Sequence, residues 1–262
     1  MSDHTYLFVA GLHRSGTSLL FSLLRDHPDV SGFRDTGVRE DEGQHLQHTY
    51  PPANVFGGAG RFAFDARAHM IEADAATAAA DRASLLTSWN PHWDLQRAVL
   101  VEKSPPNLVR MRYLASVFPR ARFVVIARHP LTTALATKKW RRRESLFALV
   151  RHWLVAHDIA LADAPHLDHV LMLRYEHLVA DPAGVLARVQ QFAGLAPDTR
   201  AAAGAVNPSA SDAYAAKWRS LRTNPLTWPY TRLLAKRFGD DVARYGYRID
   251  DLDALDPWSA ET

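Results

Sequence analysis

Four short apolar runs, at 6–10, 98–101, 123–127 and 170–173, alternate with helical patterns at 17–25, 66–86, 107–118, 131–139, 146–161 and 182–192. Each run is about the length of a strand buried on both faces. Strands separated by helices pack as one parallel sheet covered by helices, so the expected class is α/β. In such sheets ligands bind beyond the carboxyl ends of the strands. The residues after each run therefore carry most of the functional information, and here they are unusually polar. They are Gly11-Leu12-His13-Arg14-Ser15-Gly16-Thr17-Ser18, then Glu102-Lys103-Ser104-Pro105, Arg128-His129-Pro130 and Arg174-Tyr175-Glu176. Basic residues from several strand ends are expected to converge on one edge of the sheet.

The chain has 262 residues, long enough for one large core, and is read as a single domain over 1–262. No period of 20–50 residues recurs, so repeats are not expected. Two stretches depart from the alternation. An irregular segment at about 31–66 is expected to be a substrate-binding insertion, and the proline-punctuated tail at about 194–262 a partly helical wrap. With 31 basic against 28 acidic side chains the net charge is +3, too weak to imply a nucleic-acid partner. The absence of Cys excludes disulfides and thiolate zinc sites and fits a reducing compartment. The opening apolar run breaks at Gly11 without a basic lead-in, so the expectation is a cytoplasmic protein with no membrane span. The thirteen His form no H-E-x-x-H or comparable ligand set, and no metal site is expected.

Residues 11–18 have the spacing of a phosphate-binding loop, and they leave a strand and open a helix, which turns backbone N–H groups toward an oxyanion. The seventh position is Thr17 where nucleotide triphosphatases carry the Lys that reaches the terminal phosphates, and Arg14 supplies a cation inside the loop instead. This counts against ATP chemistry while leaving a cradle for a 5′-phosphate. A nucleophile elbow at Ser15 is a poor reading, because His13 and Thr17 stand where it needs glycines.

The run from Gly11 to Leu20, with His27-Pro28 one helix later, resembles the 5′-phosphosulfate loop of sulfotransferases that use 3′-phosphoadenosine 5′-phosphosulfate (PAPS). It is closest to the form seen in tyrosylprotein and bacterial carbohydrate or small-molecule sulfotransferases. The resemblance continues at Glu102-Lys103-Ser104-Pro105, from Phe118-Pro119 to Arg128-His129-Pro130, and from Leu173-Arg174-Tyr175-Glu176-His177-Leu178 to Asp181-Pro182. It implies a P-loop-like α/β fold and sulfuryl transfer from PAPS, without a metal, to a hydroxyl acceptor on a small molecule, carbohydrate or peptide.

By the same resemblance, His13, Arg14, Ser15, Gly16, Thr17 and Ser18 hold the 5′ end and Arg128 holds the 3′-phosphate. Family members place a Ser eight residues beyond that Arg; here it is Ala136, with Thr137, or Thr132 or Thr133, as substitutes. Arg14 and Lys103 are assigned to the bridging oxygen. Tyr214, Lys217, Trp218 and Arg219 lie where relatives fold a basic loop over the nucleotide. The acceptor must also lose its proton to a carboxylate or imidazole. Glu42 is the first candidate, then Glu40 and His45, while a rigid count from Arg14 lands on Asp35. Repulsion among Glu40, Asp41 and Glu42 is expected to raise one of their pKa values. Two other readings stay open: an ATP-dependent small-molecule kinase and a non-catalytic nucleotide-binding module.

Overall fold

The chain was described from a computed structural model covering residues 4–75, 77–202, 206–207, 209 and 211–261. All six residues of strand β1 (Thr5–Ala10) are buried. It takes the middle of the sheet, pairing in parallel with β3 (Val99–Lys103) on one side and β4 (Ala121–Ala127) on the other. Strand β2 (Val30–Gly32) lies beyond β3, and β5 (Val170–Arg174) beyond β4, giving the all-parallel order β2-β3-β1-β4-β5. The path runs from β1 toward one edge and later, through β4 and β5, toward the other. That reversal leaves a crevice at the carboxyl ends of β1 and β4, where open α/β sheets bind ligands.

Helices α1 (Thr17–Arg25), α2 (Ala78–Trp89), α3 (Met111–Val117), α4 (Pro130–Thr137), α5 (Leu146–Asp163), α6 (Tyr175–Ala180) and α7 (Pro182–Phe192) connect or cover the strands. Under β1, Phe8 packs 5.5 Å from both Phe118 and Phe123, and Trp89 stacks on Phe118 at 5.6 Å. Tyr6 adds a 4.7 Å contact to Phe118, so this face of the central strand rests on aromatic rings.

Several boundaries differ from the sequence expectation. The three-residue β2 is too short to register as an apolar run. The expected helix at 66–86 is broken into 3₁₀ turns at Ala66–Ala68 and Glu72–Asp74 before α2 begins. Asp side chains cause the interruptions: Asp65 accepts from the Arg67 N–H and Asp74 from the Ile71 N–H, local bonds that compete with helix propagation. The pattern at 107–118 divides at Arg110, whose backbone leaves the helical region.

Loops and short 3₁₀ turns fill 33–74, and strand-end side chains fix the segment's position. Gly43 N–H donates to Glu102 and Gln44 N–H to Ser104. The tail is indeed partly helical, with α8 (Asp212–Thr223) and α9 (Trp228–Ala243). Its end returns to the sheet, where Arg174 pairs with Glu261 at 2.6 Å and donates to the Asp256 carbonyl. Arg174 is thus spent on holding the tail and does not join the basic strand ends at the crevice. No helix among the described residues is long and apolar enough to cross a membrane.

Candidate active site

The loop between β1 and α1 owes its shape to two glycines. A Cβ on Gly11 would meet the Ile126 carbonyl at 2.4 Å, and one on Gly16 would meet the Tyr175 ring at 2.4 Å. Both also have positive φ, as does Arg14 at 73°. The Ser15 hydroxyl donates back to the Leu12 carbonyl at 2.7 Å. Ser15 is fully buried, so its hydroxyl braces the loop and does not face the cavity. Gly16 provides no side-chain cap for α1, and the helix's first turn contains no acid. The amides at this N-terminus are therefore left for an external anion.

They border a cavity of about 330 Å³. His13, Arg14, Gly16, Thr17 and Ser18 line one wall, and Arg128, Tyr175 and Tyr214 another. The insertion closes the third wall with Arg39, Glu40, Glu42, Gln44 and His45, and Trp140 stands at the rim. Arg14 and Arg39 both lie over the Trp140 ring, at 5.0 and 5.7 Å from its centroid.

At one end, Lys103 is almost fully buried behind the insertion. Its ammonium donates to the Glu40 carbonyl at 2.9 Å and to Glu42 Oε1 at 3.3 Å. Glu42 is also buried, receives a 2.5 Å hydrogen bond from the Gln44 amide, and has His45 Nε2 at 3.7 Å from Oε2. Burial lowers the His45 pKa, Glu42 opposes that, and Arg39 and Lys103 reinforce it. His13 is driven down to about 3 by burial and by the charges of Arg39 and Lys103, so both imidazoles are neutral near pH 7.

The three consecutive acids point three ways. Glu40 is exposed and offers its backbone carbonyl to Lys103; Asp41 accepts from the Thr36 N–H and hydroxyl; Glu42 turns inward. Burial would raise the Asp41 pKa, but the Thr36 hydrogen bonds outweigh it and leave the carboxyl lowered. The strongly raised carboxyl nearby is Glu102, pushed up to about 7 by burial although Ser104, Asn107 and the Gly43 amide all bond to it. Sequence reasoning passed over Glu102, because nothing in a strand-end Glu announces complete burial. Asp35 is exposed and does not line the cavity.

At the other end, the Arg128 guanidinium stacks over the Tyr175 ring at 4.1 Å, donates to the Arg14 carbonyl at 3.2 Å and to Ser211 Oγ at 2.8 Å. The hydroxyl beside Arg128 thus comes from the tail. Thr137 faces a separate small cavity with Gly60, Leu149 and His152, and Thr133 donates to the Arg128 carbonyl, away from its guanidinium. Among the described tail residues, Tyr214 lines the cavity. Burial raises its pKa, but hydrogen bonds from Lys139 and Arg14 outweigh that and lower it. Lys217 is exposed on α8 outside the cavity wall, and Arg219 pairs with Asp253 on another face. Of the two residues one turn beyond Tyr214 on the same side of α8, Trp218 turns into the core and Lys217 stays at the exposed edge. Trp218 is core, with its indole N–H donating to the Ile249 carbonyl at 2.8 Å.

Among the described residues, no group of three His, Asp or Glu side chains is placed to hold a metal ion.

The fold is shared with solved structures. The sulfotransferase domain of the Synechococcus olefin synthase matches with TM-score 0.53 at 20% identity, covering 86% of this chain and 90% of that one. The sulfotransferase domain from the curacin biosynthetic pathway matches with TM-score 0.51 at 18% identity, covering 90% and 97%. A Mycobacterium tuberculosis sulfotransferase matches with TM-score 0.52 at 17% identity, covering 77% and 70%. A sulfotransferase family model matches residues 7–199, which spans the sheet, the phosphate loop and the insertion. The chain belongs to the sulfotransferase family.

Proposed function

We propose that this protein, acting as a single sulfotransferase domain, moves a sulfuryl group from PAPS to a hydroxyl acceptor in the cavity between the α1 N-terminus and Arg128. The observation carrying this reading is the pair of separate anion grips: uncapped α1 amides with Arg14 on one side, and Arg128 with Ser211 on the other. PAPS has an anionic group at each end of its nucleoside, which such a pair fits. When bound, it supplies the activated sulfuryl group and leaves as 3′-phosphoadenosine 5′-phosphate. The amides of Thr17 and Ser18 and the Arg14 guanidinium hold the 5′ end. Arg128 grips the 3′-phosphate with a planar fork that fits phosphate better than an ammonium would.

Sulfuryl transfer resembles phosphoryl transfer in relying on positioning and charge stabilisation more than on covalent help. Arg14 meets that need from the cavity wall. Lys103 contributes from one layer deeper, holding Glu42 and the Glu40 carbonyl in place. Glu42 is the base that takes the acceptor proton, with His45 beside it. The acceptor enters along the insertion.

Incubation with PAPS labelled at sulfur against a panel of hydroxyl acceptors tests the reading, with magnesium present and absent. Labelled product without magnesium is expected. ATP-dependent phosphoryl transfer instead would establish the kinase reading, and nucleotide binding with no turnover on any acceptor the binding-module reading. If Glu42→Gln keeps full activity while His45→Ala loses it, the base is His45.

A further inference from the structure

The tip between α8 and α9 is built unlike the rest of the surface. Four of the eight large hydrophobic side chains that the described chain exposes lie within residues 226–233: Leu226, Trp228, Tyr230 and Leu233. Leu226 is 90% exposed and Leu233 56%. The tip is not a loose loop. Asn224 accepts the Leu226 N–H on its side chain and the Trp228 N–H on its carbonyl, and Thr227 donates to the Leu221 carbonyl at 2.6 Å. Tyr230 packs 5.3 Å from Phe147 at the start of α5. Thr231, Leu234, Phe238 and Val242 give α9 its buried stripe, leaving Leu233 on a face the core does not need.

Charge singles out the same segment. Residues 213–239 contain six Lys and Arg and no Asp or Glu, in a chain whose overall balance is only +3. Arg222, Arg232 and Lys236 are exposed and make no ion pair with a carboxylate among the described residues. Arg232 lies over the Trp228 ring at 5.3 Å, a long stem laid along an apolar surface with its charge at the edge.

We propose that the α8–α9 tip docks on an anionic lipid bilayer surface, with Leu226, Trp228 and Leu233 entering the headgroup boundary and Arg222, Arg232 and Lys236 meeting lipid phosphates. The choice of occupant follows from the residue types. Trp and Tyr settle at membrane interfaces, where one end of the ring is apolar and the other wet, and an acid-free basic border is drawn to anionic headgroups. The segment lies flat on the surface and requires no spanning helix.

Flotation of the full chain with phosphatidylcholine vesicles, with and without phosphatidylglycerol, at low and high salt, tests this. The protein is expected to float with anionic vesicles at low salt, and to be released by high salt or by leaving out the anionic lipid. Leu226→Ser with Trp228→Ser, and separately Arg232→Glu with Lys236→Glu, should each lower partitioning about tenfold. All four positions are exposed, so an unchanged melting temperature verifies that the variants fold. Failure of the parent protein to float on anionic vesicles at low salt would overturn the proposal, as would equal binding to neutral vesicles or retention by both double variants. So would a concentration-dependent dimer in sedimentation that Leu226→Ser dissolves, which would assign the tip to a second copy.

Discussion

The two ends of the cavity are assembled on different principles. At the Lys103 end every charge is already answered: Lys103 by Glu42 and the Glu40 carbonyl, Glu42 by Gln44, Glu102 by Ser104, Asn107 and Gly43. The residues are buried, and the insertion is bound to the strand end through them. At the Arg128 end the cation lies over the face of Tyr175 and donates to the Arg14 carbonyl and to a hydroxyl from a segment some eighty residues away. Buried ion pairs fix geometry firmly but respond badly to losing one member, whereas a stacked cation with a hydroxyl neighbour is free to exchange partners for a ligand. Under the proposed function, a site built this way keeps its proton chemistry rigid and its nucleotide grip adaptable.

The largest effect should come from the rigid end. Lys103→Ala leaves Glu42 buried without its cation, so transfer should fall on the order of 10²–10³-fold and stability by about 3–5 kcal/mol. Acceptor turnover and thermal unfolding measure both; normal turnover in a stably folded variant would dissolve the distinction between the ends. At the adaptable end, Arg128→Ala should weaken 3′-phosphoadenosine 5′-phosphate binding roughly 10–100-fold with little loss of fold, and Ser211→Ala by only a few-fold. Titration calorimetry ranks them. Equal losses would mean that the tail hydroxyl matters as much as the guanidinium.

Acidification gives a further contrast. His129, His152 and His157 are held down to about 4, 3 and 4 by burial, below their ordinary 6.5. Below pH 6.5 the unfolded chain takes up protons that the folded chain refuses. Each ring therefore removes about 1.4 kcal/mol per pH unit until its folded value is reached. Glu102, raised from 4.5 to about 7, acts with the opposite sign: its share of stability is present at low pH and lost as pH rises from 4.5 through 7. The melting temperature should fall from pH 6.5 to 4, His152→Gln should flatten that fall, and Glu102→Gln should steepen it. The smallest effect is expected from Lys217→Ala and Arg219→Ala, whose nucleotide affinity should stay within about twofold of the parent because neither side chain lines the cavity.

The strand ends were legible because local chemistry marks them: a glycine-framed loop, a Lys or Arg directly after an apolar run, a Pro that starts the next helix. That Arg14, Lys103 and Arg128 follow strands could be read from position alone, while their roles were implied only by the resemblance. What the sequence concealed depends on which way a side chain turns over long separations. Ser211 reaches Arg128 across eighty-three positions, Glu102 becomes a buried clamp through a partner fifty-nine residues earlier, and Arg174 follows the tail where its neighbours face the crevice. The same limit applies on α8, where Tyr214 reaches the cavity and Lys217, one turn on, stays at the exposed edge, a difference set by packing that no local pattern records. Asp65 and Asp74 interrupt the helix expected at 66–86 through bonds to backbone N–H groups, which the helical pattern around them did not reveal.

Tyr175 occupies a place whose effect extends beyond its own contacts. The Cδ2 and Cε2 atoms of its ring lie against Gly16, and the ring also carries the Arg128 guanidinium. The ring therefore limits how near the loop and the guanidinium of the two proposed anion holds come to it, and it serves as a gauge block. A shorter residue would let them close up, and a wider one would force the loop outward. In either case a donor of fixed molecular length would be seated at one terminus and miss the other.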